Sequence, residues 1–165
     1  MVMNGLNKSI INTIKSSKRL LIVALGNPLR RDDGVGYYIY KALSSRKNIP
    51  IIYCYSLELC THVIAKYKPD TLIILDAIDA GIEPGSLIFT CDLSVIVEEY
   101  LPTTHTVPLS MVIKYLRNIT PTLKSICLLG IQVKDRGVGE GLSSEVERVA
   151  NFIIEFLSSL FQSHS

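Results

Sequence analysis

Leu20-Leu21-Ile22-Val23-Ala24-Leu25-Gly26-Asn27-Pro28-Leu29-Arg30-Arg31-Asp32-Asp33-Gly34-Val35-Gly36 is the stretch whose reading decides the fold. Its apolar run is too short for a stable helix and ends at glycine and proline, which predicts a buried strand over 20–25. A polar loop follows, and then Val35, Ile39 and Leu43 recur at the spacing of one helical face. The same succession continues down the chain. Apolar runs at 51–55, 71–75, 87–90 and 125–129 predict further strands. Leu59, Val63 and Tyr67, then Leu109, Val112 and Leu116, then Val146, Val149, Ile153 and Leu157 predict helices. Strands that alternate with helices and are apolar on both faces belong to a covered parallel sheet. The expected fold class is therefore α/β: a three-layer α/β/α sandwich around a five-stranded, mostly parallel, twisted sheet. The run at 87–90 is expected antiparallel, because the short connection before it holds Gly81 and Pro84-Gly85 and has no room for a helical crossover.

Residues 1–165 read as one domain: an extra N-terminal helix within 1–18, then a core over 20–160. In that helix, Asn7 to Ser17, Ile10, Ile11 and Ile14 share a side. The last helix is expected to start near Ser144, with Glu147 completing a capping box. With 48% hydrophobic and 19% charged residues, the chain has the material for a core and does not read as disordered. A net charge of +2, with Lys18-Arg19 and Arg30-Arg31 as mere pairs, gives no footprint for nucleic acid. Mean hydropathy is +0.32, yet no apolar run approaches the roughly 20 residues that cross a bilayer. After Lys18-Arg19 and a short apolar run, Arg30-Arg31-Asp32-Asp33 stands where a cleavage site would be, so a cytoplasmic protein is expected. Cys54, Cys60, Cys91 and Cys127 lack the spacing of a zinc site. Cys54, Cys91 and Cys127 read as core thiols, and Cys60 is left open.

The polar residues with chemistry gather after the first strand, where open α/β sheets bind ligands. Asp32 and Asp33 precede a helix; one is enough to cap it, which leaves the other carboxylate for a further role. Asp76 is expected to end the strand over 71–75, where it is either a turn acid or a site residue, with Asp79 equally able to serve the turn. His105 lies in a polar loop between Pro102 and Pro108, unlike His62 on a helix and His164 in the tail, and reads as either a solvated loop histidine or a ligand or base. Asp33, Asp76 and His105 together offer two oxygens and a nitrogen, a set suited to a divalent metal with positions left open for water or substrate. Gly137-Val138-Gly139-Glu140-Gly141 is a poor dinucleotide match and reads as a flexible turn bordering the cleft. A His-Glu-x-x-His helix, a Gly-x-Ser-x-Gly elbow and a Walker loop are all missing.

Gly26-Asn27, Asp32-Asp33-Gly34 and Gly36, then Leu75-Asp76-Ala77, then Thr103-Thr104-His105 with Pro108-Leu109-Ser110, then Leu129-Gly130-Ile131-Gln132 resemble, in this order, the [NiFe]-hydrogenase maturation endopeptidases. The resemblance covers most of residues 20–160 and implies a phosphorylase/hydrolase-like sheet between helical layers. It further implies a cytoplasmic peptidase, expected as a monomer, that trims a C-terminal extension from the hydrogenase large-subunit precursor once nickel is in place. Carried over by motif, Asp33, Asp76 and His105 contact the nickel brought by that precursor, or zinc or another divalent cation in its place, and Asp33 or Asp76 assists the attacking water. Relatives often carry Glu where Asp33 stands, and often a glycine-rich turn where this chain has Tyr55-Ser56-Leu57-Glu58-Leu59.

Two other readings stand beside this one. The opening Leu21 to Pro28 also resembles bacterial peptidyl-tRNA hydrolases, but their Arg-His-Asn segment is replaced here by Asp32-Asp33-Gly34. A non-catalytic nickel- or zinc-binding accessory protein would use the same three side chains without cutting anything.

Overall fold

All six residues of β1 (Leu20–Leu25) and all eight of β3 (Thr71–Ile78) are buried, so neither strand shows the alternation of a sheet with one wet face. The computed structural model describes residues 2–46, 48–92, 94 and 107–162. With β2 (Ile51–Cys54), β4 (Leu87–Thr90) and β5 (Ser125–Gln132), these strands form one sheet in the order β2-β1-β3-β5-β4. Every pairing is parallel except that of β4 with β5.

Helices cover both faces. On one, α1 (Val2–Ser16), α2 (Val35–Leu43) and α5 (Ser144–Gln162) bury Ile10, Ile39, Leu43, Ile153 and Leu157 against Ile22, Ala24, Ile73 and Leu75. On the other, α3 (Thr61–Tyr67) and α4 (Leu109–Ile119) bury Ile64, Val112 and Leu116 against Leu21, Val23, Leu72 and Ile74. This is the expected α/β/α arrangement. α1 begins earlier than its apolar spacing indicated, and it packs in the α2 and α5 layer with Ile10 only 3% exposed. Among the described residues, no helix is long and apolar enough to cross a membrane.

Three local expectations need correction. β3 does not stop at Leu75: it runs on to Ile78, because Asp76, Ala77 and Ile78 keep pairing with Gly130, Ile131 and Gln132 of β5. The capping box at α5 does not form, since the Ser144 hydroxyl donates to Glu145 Oε2 (2.9 Å) and the preceding Ser143 is engaged elsewhere. The cysteines are not free thiols: Cys54 is paired with Cys60, and Cys91, after β4, with Cys127 of β5. The second pair ties together strands that are already hydrogen-bonded neighbours, a proximity that cysteine spacing along the chain does not encode.

Candidate active site at the carboxyl edge of the sheet

β1 has β2 on one side and β3 on the other, so the chain leaves β1 and returns in opposite directions and opens a crevice beyond the carboxyl ends of β1 and β3. The loop after β1 lies against that crevice. Gly26 adopts φ +131°, and a Cβ there would fall 1.9 Å from the Asp33 carbonyl oxygen; one on Gly36 would fall 2.0 Å from that of Leu25. Only glycine at both positions lets the loop double back so tightly and the first turn of α2 abut the strand end. Tyr53 donates its hydroxyl to the Gly26 carbonyl (2.8 Å), and the Asn27 amide donates to the Tyr55 hydroxyl (2.6 Å). Asn27 also accepts from the Leu29 N–H (3.0 Å), closing an Asx turn.

The two adjacent aspartates divide their labour, and neither caps α2, whose N-cap is Gly34. Asp32 is fully buried and holds the segment before α5. Its Oδ2 accepts the N–H groups of Lys134 (2.8 Å) and Asp135 (2.9 Å) and the Ser143 hydroxyl (2.9 Å), while Oδ1 accepts the Ser143 N–H (2.6 Å). Burial pushes its pKa upward, but these donors outweigh burial and hold the carboxylate ionised below its usual range. Asp33 is half-buried, and among the described residues its carboxylate accepts only the Asn27 N–H, at 3.1 Å. Of the two, Asp33 is therefore the carboxylate that the backbone donors of Lys134, Asp135 and Ser143 do not claim.

Asp76 comes in from the neighbouring strand. It is 6% exposed, and its Oδ1 accepts the Ala77 N–H at 2.8 Å. Burial first, and then the negative charge of Asp33, raise its pKa to about 7, against the smaller opposing pull of the Ala77 N–H and the Arg136 guanidinium. Asp33 and Asp76 are thus close enough to sense one another. Asp76 lines a narrow, mostly apolar cleft with Leu25, Leu57, Glu58, Ile74, Val107, Leu109 and Val112.

His105 lies outside the described residues. The described chain resumes at Val107, which lines the Asp76 cleft, and Pro108 then serves as the N-cap of α4. Among the described residues, no three His, Cys, Asp or Glu side chains gather closely enough to hold a metal ion.

Sequence reasoning passed over two residues here. Glu58 places a further carboxylate in the cleft wall, from a short 3-10 turn (Leu57–Cys60) whose two sides, buried Leu57 and half-buried Glu58, a local pattern does not distinguish. Arg136 is the cation whose charge reaches Asp76, and it is held by Asp79 (3.0 Å), which also accepts from Gln132 Nε2 (3.2 Å). Asp79 therefore does bonding work at the strand end, as the turn reading allowed. Gly137 to Gly141 does not line the Asp76 cleft. It is tied to the β1 loop through the Arg31 N–H to the Gly139 carbonyl and the Gly139 N–H to the Leu29 carbonyl, both 2.9 Å.

A family model described as hydrogenase maturation protease matches residues 56–159. The hydrogenase 3 maturation protease of Escherichia coli is 31% identical over 68% of this chain and 71% of that protein. The crystal structure of the [NiFe] hydrogenase maturation protease HycI from Thermococcus kodakarensis superposes with a TM-score of 0.79 at 26% identity, covering 93% of this chain and 99% of that one. The hydrogenase maturating endopeptidase HybD of Escherichia coli shares the fold, with a TM-score of 0.64 at 23% identity over 88% of this chain and 93% of its own.

Proposed function

The chain belongs to the hydrogenase maturation proteases, and we propose that it removes a C-terminal extension from the [NiFe]-hydrogenase large-subunit precursor after nickel has been inserted. Nickel arrives with the precursor and is part of the substrate. Asp33, Asp76 and His105 engage it, so that only a loaded precursor seats its scissile bond beside the two carboxylates.

One observation supports this reading above the others: two carboxylates, one in the turn between β1 and α2 and the other within β3, lie close enough at the crevice for one to feel the other's charge, one of them is buried, and among the described residues neither has a cation within ion-pair distance. Such a pair resists double ionisation when empty and favours it when a cation arrives, which suits the oxygen donors of a site for nickel, zinc or another divalent ion. The apolar lining of the cleft strengthens that electrostatic preference by keeping water away.

Asp76, buried and with its pKa near neutrality, gives up its proton on contact with the cation and serves as a ligand. Asp33, half-exposed and, among the described residues, held only by the Asn27 N–H, has access to water and takes the proton from the attacking molecule. His105, which lies outside the described residues, supplies the nitrogen ligand of the set. The peptidyl-tRNA hydrolase reading and the non-catalytic metal-binder reading both lack support from the family match.

The test is intact-mass analysis of nickel-loaded precursor after incubation with Asp33→Ala and His105→Ala variants that retain the circular dichroism of the parent. The precursor mass is expected to stay unchanged with either variant and to fall with the parent. Normal trimming by both variants would remove these residues from the site.

A further inference from the structure

α3 and α4 lie side by side on one face of the sheet and run in the same direction. α3 carries the chain back from the carboxyl end of β2 to the amino end of β3, and α4 likewise leads down into the start of β5. Both therefore descend from the rim of the Asp76 cleft, to which the turn before α3 contributes Leu57 and Glu58 and the start of α4 contributes Leu109 and Val112. Their inner sides are taken up by the core through Ile64, Ile113 and Leu116. On the outer sides, large apolar residues recur one turn apart. Leu59, in the turn before α3, is followed by Val63, and Met111 of α4 by Tyr115, each of the four between 40% and 61% exposed. The upper member of each pair is next in sequence to a cleft residue, Leu59 to Glu58 and Met111 to Val112. A single exposed apolar side chain is ordinary, whereas four on the outer sides of two adjacent helices mark an interaction surface.

The charge on these two helices has one sign. Neither carries an Asp or Glu, and Lys66, Lys114 and Arg117 are exposed on them. Among the described residues, the ion pairs are Lys134 with Glu145 and Arg136 with Asp79, and neither involves these three cations. An apolar strip flanked by such cations complements a protein surface that is apolar at its centre and acidic around it. We propose that the outer face of α3 and α4 docks the folded body of the precursor through a surface of that chemistry, while its C-terminal segment enters the cleft. The inference rests on the maturation reading above. The occupant follows from position: a protein that brings a peptide bond to Asp76 passes the rim from which both helices descend, so cleft and strip form one continuous surface. Leu59, Val63, Met111 and Tyr115 supply buried area, and the cations supply orientation and a salt-sensitive share of the affinity. None of the seven touches the reacting atoms, so their removal weakens binding and leaves the chemical step to the carboxylates.

The experiment compares the parent with two variants that keep its circular dichroism: Val63→Ser/Tyr115→Ser, which thins the apolar strip, and Lys66→Glu/Lys114→Glu/Arg117→Glu, which reverses the charge beside it. Biolayer interferometry against immobilised nickel-loaded precursor reads Kd as a function of salt, and steady-state trimming separates KM from kcat. Each variant is expected to weaken Kd and raise KM by roughly tenfold or more, with kcat little changed. Added salt should weaken the parent and the serine variant but not the charge-reversed one. Sedimentation equilibrium of the protein alone, and co-sedimentation with vesicles of phosphatidylcholine and phosphatidylglycerol, test the two other occupants. Parent-like Kd and KM in both variants would overturn the proposal. If those variants also lose self-association, the strip belongs to a second copy of this chain; if they lose vesicle binding, it belongs to an anionic membrane surface. A parent that neither binds nor trims the precursor would instead overturn the maturation reading, and this inference with it.

Discussion

Replacing Asp76 by Asn should make the metal-free protein more stable at pH 8 while abolishing processing. The buried carboxyl titrates at about 7 in the fold against 3.8 when unfolded, so the native state holds a proton that the unfolded chain has already released. Unfolding therefore releases a proton between these two values, and the protein loses stability as pH rises from about 4 to about 7. A displacement of about 3 units, at ~1.4 kcal/mol each, is a cost of about 4 kcal/mol once the group is fully ionised. Asn keeps the acceptor for the Ala77 N–H and carries no charge to desolvate or to repel Asp33. Urea titrations of both proteins at pH 4 and pH 8 measure the difference. The two should be close at pH 4, and the variant should be several kcal/mol the more stable at pH 8, raising its melting temperature by roughly 10 °C. A gap of equal size at both pH values, or a variant less stable at pH 8, would refute the electrostatic argument.

Asp32→Ala should do the reverse: three backbone N–H groups and the Ser143 hydroxyl lose their acceptor at once, at a cost of at least about 3 kcal/mol by chemical denaturation. Because the Asp32 pKa is lowered in the fold, its contribution is present above the unfolded value of 3.8 and is lost as pH falls through the folded value, so acid titration of the parent should show it and the variant should not. Gly36→Ala should fail to give soluble folded protein or melt far below the parent by calorimetry, since its Cβ would lie 2.0 Å from the Leu25 carbonyl oxygen. Breaking Cys91–Cys127, a bridge with a sequence separation of 36, should cost up to about 4 kcal/mol in a urea titration under non-reducing conditions.

The arrangement of strands and helices was legible because β1, β3 and β5 carry runs of Ile, Leu and Val between turn residues, and because helical faces recur in the gaps. The end of β3 was not legible. A charged residue at 76 looks locally like a chain leaving the core, and only the matching length of β5 reveals a strand that continues with its acid buried. The roles of Asp32 and Asp33 are likewise set from far away, since the donors that claim Asp32 lie between Lys134 and Ser143. The site motifs pointed to Asp33 and Asp76 and missed Glu58, whose place depends on which way one short turn faces. Cysteine pairing was hidden for the same reason, because Cys91 and Cys127 meet through the antiparallel register of β4 on β5.

The central claim is that the carboxylate pair reads a nickel ion carried by the substrate. Nickel-loaded and nickel-free precursor, each incubated with the purified protein and followed by intact mass, test it most directly. Loss of the C-terminal extension from the loaded precursor alone is the predicted result. Equal trimming of both forms, or trimming of the nickel-free form only, would contradict it.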